Sequence, residues 1–220
     1  MTQKFDLIVW DWDGTLADST GMITNAILKA AEQVGLPALT PKMASSIIGL
    51  GLRESIEALY GNIPEYQVKA LAAQYNLNYY AGQGEIPLFT EAAETIKTLN
   101  RRGLKLAVAT GKSRRGLNFA LELTQLGDFF HATRTVDECF SKPHPQMLHE
   151  LMDHFFVTPE RTLMIGDTSY DLQMAKNAGV SAVGVTYGAQ PAQAWQHLNP
   201  IQQFDTFANL SQWLLEQPKT

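Results

Sequence analysis

Four short apolar runs, separated by stretches of helical periodicity, constrain this chain more than any other feature. They are Phe5 to Trp10 (FDLIVW), Leu104 to Thr110 (LKLAVAT), Thr162 to Ile165 (TLMI) and Ser181 to Val185 (SAVGV). Their length, their β-branched and aromatic content and the polar segments that bound them predict buried strands. Helix ends mark the intervals between them. Thr90 and Gly103 bracket a helix over 91–100, and Ser113 and Gly127 bracket one over 115–126. Pro145 opens a helix over 146–155, and Thr168 or Ser169 opens one that ends near Gly179. Repeated strand–helix–strand units imply an α/β fold, a parallel sheet with helices on both faces.

The interval from Ala17 to Glu85 breaks this rhythm. Met22, Ile23, Ala26, Ile27, Ala30, Ala31 and Val34 recur at helical spacing. Arg53 to Tyr60 and Glu65 to Ala81 are also helical in pattern, and no strand is evident. An all-helical module inserted after the first strand is expected, with the Gly- and Pro-bearing stretch Gly82 to Pro87 as its exit hinge. The expected division is 1–16 and 88–220 for the sheet core, and 17–87 for the module with its hinge segments.

Composition narrows the class. Of 220 residues, 45% are hydrophobic and 18% charged, a globular balance. The net charge of −5 provides no field for a polyanion, so nucleic acid is not an expected partner. Cys139 is the only cysteine, which fits a reducing compartment. The amino-terminal apolar run is too short, and too close to charges, for a signal peptide or a membrane span. A cytoplasmic protein with no membrane partner is the expectation. No oligomeric state is assigned.

Ligands of open parallel sheets sit beyond the carboxyl ends of the strands. Four such ends carry reactive groups. Asp11 and Asp13 in DWDGT lie two apart, on one side of extended chain, where two carboxylates do shared acid–base work or hold a cation. Thr110, Gly111 and Lys112 offer a hydroxyl and backbone amides to a phosphate oxygen, or form only a turn with a surface lysine. Lys142 precedes Pro143, which holds it extended and aims its ammonium. Asp167 and Asp171 in GDTSYD supply hard oxygen ligands of the kind that suit magnesium, or cap a helix.

In this order, DWDGT, VATGK, SKP and GDTSYD resemble the signature of the haloacid dehalogenase-like hydrolases, DxDGT, a strand-end Thr or Ser, a Lys, then GDxxxD. The resemblance spans the chain. It implies a Rossmann-like parallel core, with the helical module as the family's cap. It also implies a phosphatase mechanism. Asp11 is the nucleophile that forms an aspartyl-phosphate, and Asp13 is the acid–base. Thr110, Gly111 and Lys142 hold the transferring oxygens. Mg2+ is bound by Asp11, the Asp13 backbone carbonyl and Asp167, with Asp171 behind them. A carboxylate at Asp13 favours phosphoryl transfer, because the family's dehalogenases lack one there. Trp10 and Trp12 are heavier than the Phe and Leu common in the family.

The expected substrate is a small phosphorylated metabolite. The module from Ala17 to Glu85 carries four basic and six acidic residues, which does not suit a polyanion. The segment Ile48 to Glu54 (IGLGLRE) looks like the cap loop of phosphoglycolate phosphatases, and Arg53 is expected to bind the substrate's far end. Two alternatives share these residues: a phosphosugar mutase, and a non-catalytic phosphate-ligand sensor.

Overall fold

The computed structural model describes residues 5–82 and 87–216. Six strands form one wholly parallel sheet: β1 (Leu7–Trp10), β2 (Lys105–Thr110), β3 (Ala132–Thr135), β4 (Thr162–Gly166), β5 (Ser181–Val185) and β6 (Gln202–Phe204). Their order is β3-β2-β1-β4-β5-β6, which puts β1 near the centre. Its register is Leu7 opposite Lys105 on one side and opposite Thr162 on the other.

The helices are α1 (Thr20–Gln33), α2 (Pro41–Ser46), α3 (Leu52–Tyr60), α4 (Glu65–Gly82), α5 (Ala92–Arg101), α6 (Arg114–Thr124), α7 (Gln146–Phe155), α8 (Ser169–Asn177) and α9 (Phe207–Glu216). Strand alternation sorts the core into two layers. Ile8 and Trp10 pack with Ile96 of α5, Leu117 of α6 and Leu210 of α9. Leu7 and Val9 face Leu148 and Leu151 of α7 and Leu172 of α8. Being covered on both faces is why β1 is apolar at every position.

The first four helices fall between β1 and β2 and share an apolar cluster of their own, with Ile27, Ala30, Ile56 and Leu71 fully buried. The chain enters and leaves them side by side. Asp18 N–H donates to Pro87 O at 2.9 Å, and Phe89 N–H donates to Leu16 O at 2.9 Å. Ala17 and Leu88 form an antiparallel bridge there. Of the expected hinge, residues 83–86, including Glu85, lie outside the described residues.

Some helix ends differ from expectation. Ser113 Oγ does accept from Gly116 N–H at 3.1 Å. However, α6 stops at Gln125, which is left-handed, and not at Gly127. Glu91, also at positive φ, takes the N-cap position of α5 in place of Thr90. Gln125 ends α6 by turning left-handed, a conformation usually left to glycine, and Glu91 takes it at the start of α5.

Candidate active site

Two adjacent strands build the centre. Trp10 pairs with Ile165 across β1 and β4, and Asp11 N–H donates to Ile165 O at 2.9 Å. Asp11 and Asp167 therefore leave the sheet together. Lys142 enters between Asp11 and α8. Its Nζ donates to Asp11 Oδ1 and to Asp171 Oδ1, both at 2.5 Å, and all three side chains are buried. An ammonium has three donors, so one remains for another acceptor. The Lys142–Pro143 peptide is cis.

Asp171 is also tied locally. Its Oδ2 accepts from the Thr168 backbone N–H at 3.1 Å and from the Thr168 hydroxyl at 2.7 Å. It thus anchors the start of α8 while it positions Lys142. Asp167 Oδ1 accepts from Thr15 Oγ1 at 3.2 Å, and its Oδ2 from Ala189 N–H at 2.6 Å.

Ligand oxygens of Asp11, Asp167 and Asp171 lie within 4.8 Å of one another. Burial pushes the Asp11 carboxyl up to about 7, against the pull of Lys142. Asp167 is likewise raised, by burial first and then by Asp11 and Asp171. Burial alone would lower the Lys142 ammonium, but Asp11 and Asp171 overcome it and raise it. With Asp13 and Lys112 included, four buried carboxylates face two ammonium groups. Asp11 Oδ2 is buried with no hydrogen-bond donor among the described residues. An orphaned carboxylate oxygen within a surplus of two negative charges fits a divalent cation with oxygen ligands.

Asp13 sits apart from that cluster, at the floor of a cleft of about 1040 Å³ between the sheet and the first four helices. Lys112 Nζ donates to Asp13 Oδ1 and Oδ2 at 2.9 and 3.0 Å, and is 2.6 Å from the Tyr79 hydroxyl on α4. Ser19 Oγ donates to Asp13 Oδ1 at 2.7 Å. Thr110, buried, lines the same cleft with Asp11. Gly111 lies under the segment at 48–51, and a Cβ there would strike the carbonyl oxygens of Gly49 and Leu50. That segment is seated on the core by Gly51 N–H, which donates to Ser141 Oγ at 2.8 Å.

Arg53 reaches the cleft wall, but its guanidinium is engaged. It donates to Glu65 Oε1 and Oε2 at 3.2 and 3.0 Å and pairs with Glu57 at 3.2 Å. The structure thus gathers Asp11, Lys142, Asp167 and Asp171 in one cluster, sets Asp13, Thr110 and Gly111 beside it, and leaves Arg53 at the rim.

Sequence reasoning missed Lys112 and Tyr79 as site residues. Lys112 was visible in VATGK, but only the fold shows that its ammonium turns inward. Gly188 was missed as well: a Cβ at Gly188 or at Gly14 (φ 83°) would collide with Asp167 Oδ2. Ala189 N–H, next to Gly188, reaches Asp167 for that reason. No motif marks this loop, since its role depends on β5 lying beside β4.

Residues 8–185 match the family model described as haloacid dehalogenase-like hydrolase. A phosphoglycolate phosphatase from Vibrio vulnificus (strain YJ016) is 31% identical over 90% of this chain and 89% of its own length. Pyrophosphatase PpaX from Anoxybacillus flavithermus is 29% identical over 84% of this chain and 85% of its own. A solved structure, described as a predicted phosphoglycolate phosphatase from Haemophilus somnus 129PT, superposes with a TM-score of 0.82 at 26% identity, covering 97% of this chain and 99% of that one. On this match, and with relatives of this identity along nearly their whole length, the chain belongs to the haloacid dehalogenase-like hydrolases and is an enzyme of their phosphatase branch.

Proposed function

We propose that the chain is a magnesium-dependent, cytoplasmic phosphatase that hydrolyses a small phosphomonoester through an aspartyl-phosphate on Asp11. The observation that carries this reading is the Asp11 carboxylate. One oxygen is fixed by Lys142, and the other is buried without a donor beside Asp167 and Asp171.

Asp11 attacks phosphorus, and the bond from phosphorus to the leaving oxygen breaks. Asp13 gives that oxygen a proton. It then takes one from the water that splits the acyl phosphate, which frees phosphate and Asp11. The remaining Lys142 donor, the Thr110 hydroxyl and the Gly111 N–H hold the phosphoryl oxygens as charge shifts among them. Asp11, the Asp13 backbone carbonyl and Asp167, with support from Asp171, would hold Mg2+, which when bound would supply the positive charge that lets a carboxylate approach a phosphate dianion.

In this reading, 1–16 and 88–220 form the catalytic core and 17–87 the cap. The cap's separate apolar cluster and the paired segments at Ala17 and Leu88 support that division. Phosphoglycolate is the first ester to assay, on the name of the Vibrio relative. Arg53 is the residue that would grip its carboxylate, by exchanging Glu65 for it.

The test is phosphate release from a panel of phosphomonoesters. Release is expected with Mg2+, lost with EDTA and absent in Asp11→Asn. In Asp13→Asn it should fall by about two to four orders of magnitude. Rapid quench should trap phosphate on Asp11. Full activity without metal, or label on another residue, refutes the mechanism. Release without a bisphosphate activator separates a phosphatase from a mutase.

A further inference from the structure

The cleft is built for more than the smallest esters. Its roughly 1040 Å³ is the size of sites that enclose ligands of several rings, whereas the alcohol part of phosphoglycolate has only a few heavy atoms. The wall opposite the catalytic floor is aromatic. Tyr75 and Tyr79, one turn apart on α4, stack with centroids 5.7 Å apart at 18°. Tyr80 meets Tyr79 edge-on at 5.9 Å. Ile23 of α1, together with Ile48 and Leu52, continues the apolar lining.

Two of the three cations that line the cleft beside Asp13 are already paired with carboxylates. Arg53 is paired with Glu57 and Glu65, and Lys112 with Asp13. The Arg115 guanidinium lies over the Tyr80 ring at 5.1 Å. Against these three, Asp11, Asp13, Glu54 and Asp137 also line the cleft. A leaving group that carries its own carboxylate or phosphate meets a balanced or negative wall. A flat apolar one meets the tyrosine cluster and aliphatic carbon that line the cleft.

We propose that the preferred substrates are phosphomonoesters whose alcohol carries a flat, apolar body, held against Tyr75, Tyr79 and Tyr80 while the phosphate rests at Asp11. This rests on the phosphatase reading above and adds to it the chemistry of the leaving group.

The test compares 2-phenylethyl phosphate, ethyl phosphate and phosphoglycolate with the magnesium-loaded enzyme. The first two have similar leaving alcohols and differ in the ring. The phenyl ester should show kcat/KM about tenfold or more above both others, because the binding energy of the ring is available in the transition state. Tyr80→Ala should lower the phenyl ester about fivefold and leave ethyl phosphate within about twofold. Binding of 3-phenylpropylphosphonate and ethylphosphonate to the unmodified protein, by calorimetry, needs neither a variant nor turnover. The phenyl compound should bind about tenfold more tightly. Equal affinities, or a kcat/KM that favours phosphoglycolate, overturn the inference and leave the phosphatase reading standing. Tight phenylpropylphosphonate binding with no phosphate released from any ester sinks the phosphatase reading and supports the assignment of the cleft.

Discussion

Lys142 holds two carboxylates that have no other cation within salt-bridge reach among the described residues. Asp11, Asp171 and Lys142 are all buried, so removing the ammonium leaves two charges stranded out of water. Breaking a buried pair in this way costs about 3–5 kcal/mol. Lys142→Ala, measured by urea unfolding in EDTA, should lose that much stability, and Asp171→Asn in the same background should restore part of it. An unchanged midpoint would mean that water reaches the cluster. Lys112 is the instructive contrast. Lys112 directly follows the β2 segment in the sequence, yet only the Lys–Pro dipeptide marked a lysine, Lys142, as aimed. Lys112 turns inward to Asp13 and to Tyr79, 33 residues earlier on α4, and no local pattern encodes that.

Among the elements, legibility followed burial. β1, β2, β4 and β5 are covered on both faces and read as apolar runs. β3 (ATRT) and β6 (QQF) are edge strands, β3 half-buried at three of its four positions and β6 exposed at two of three, so they carry no such run and were not expected. The six-residue α2 (PKMASS) buries only Ala44, too little to set a period. Of the segment Ile48 to Glu54, likened to a cap loop, residues 48–51 precede α3 and Gly51 on Ser141 seats them on the core. The end of α6 was misread, because Gln125 closes it in a conformation that sequence rules assign to glycine; α7 ends at Phe155 as expected, although Phe156 takes the same conformation. Phe156 is 96% exposed and has φ 54°. Phe156→Gly should therefore stabilise the protein by about 1 kcal/mol, read as a rise in melting temperature. A fall would show that the Phe156 ring makes a contact worth more than the strain.

At the scale of the molecule, the buried acids tie global stability to pH. Asp11 has an ordinary value of 3.8 and is pushed up to about 7 in the fold, and Asp167 is raised as well. Between those values the folded chain binds more protons than the unfolded one, so stability falls as pH rises. This contribution is fully present below 3.8 and is lost as pH passes about 7. Metal-free protein should unfold at lower urea at pH 8 than at pH 5, and saturating Mg2+ should flatten the slope by binding the ionised site. Equal metal-free midpoints would mean that the acids are not desolvated. The central place of β1 has a consequence of another kind, in the order of synthesis. Leu7 pairs with Lys105 and Thr162, so the first strand made has no neighbour on either side until the nascent chain is far longer. At about 5–20 residues per second that wait is roughly 5–20 s. Meanwhile α1 to α4 are complete by Gly82, and the first tertiary contacts open to the emerging chain are theirs. A ribosome stalled before Lys105 displays Leu7–Trp10 as an unpaired apolar strand, the kind of edge that chaperones must shield. One stalled before Asp167 carries Asp11 without the other carboxylates of its cluster.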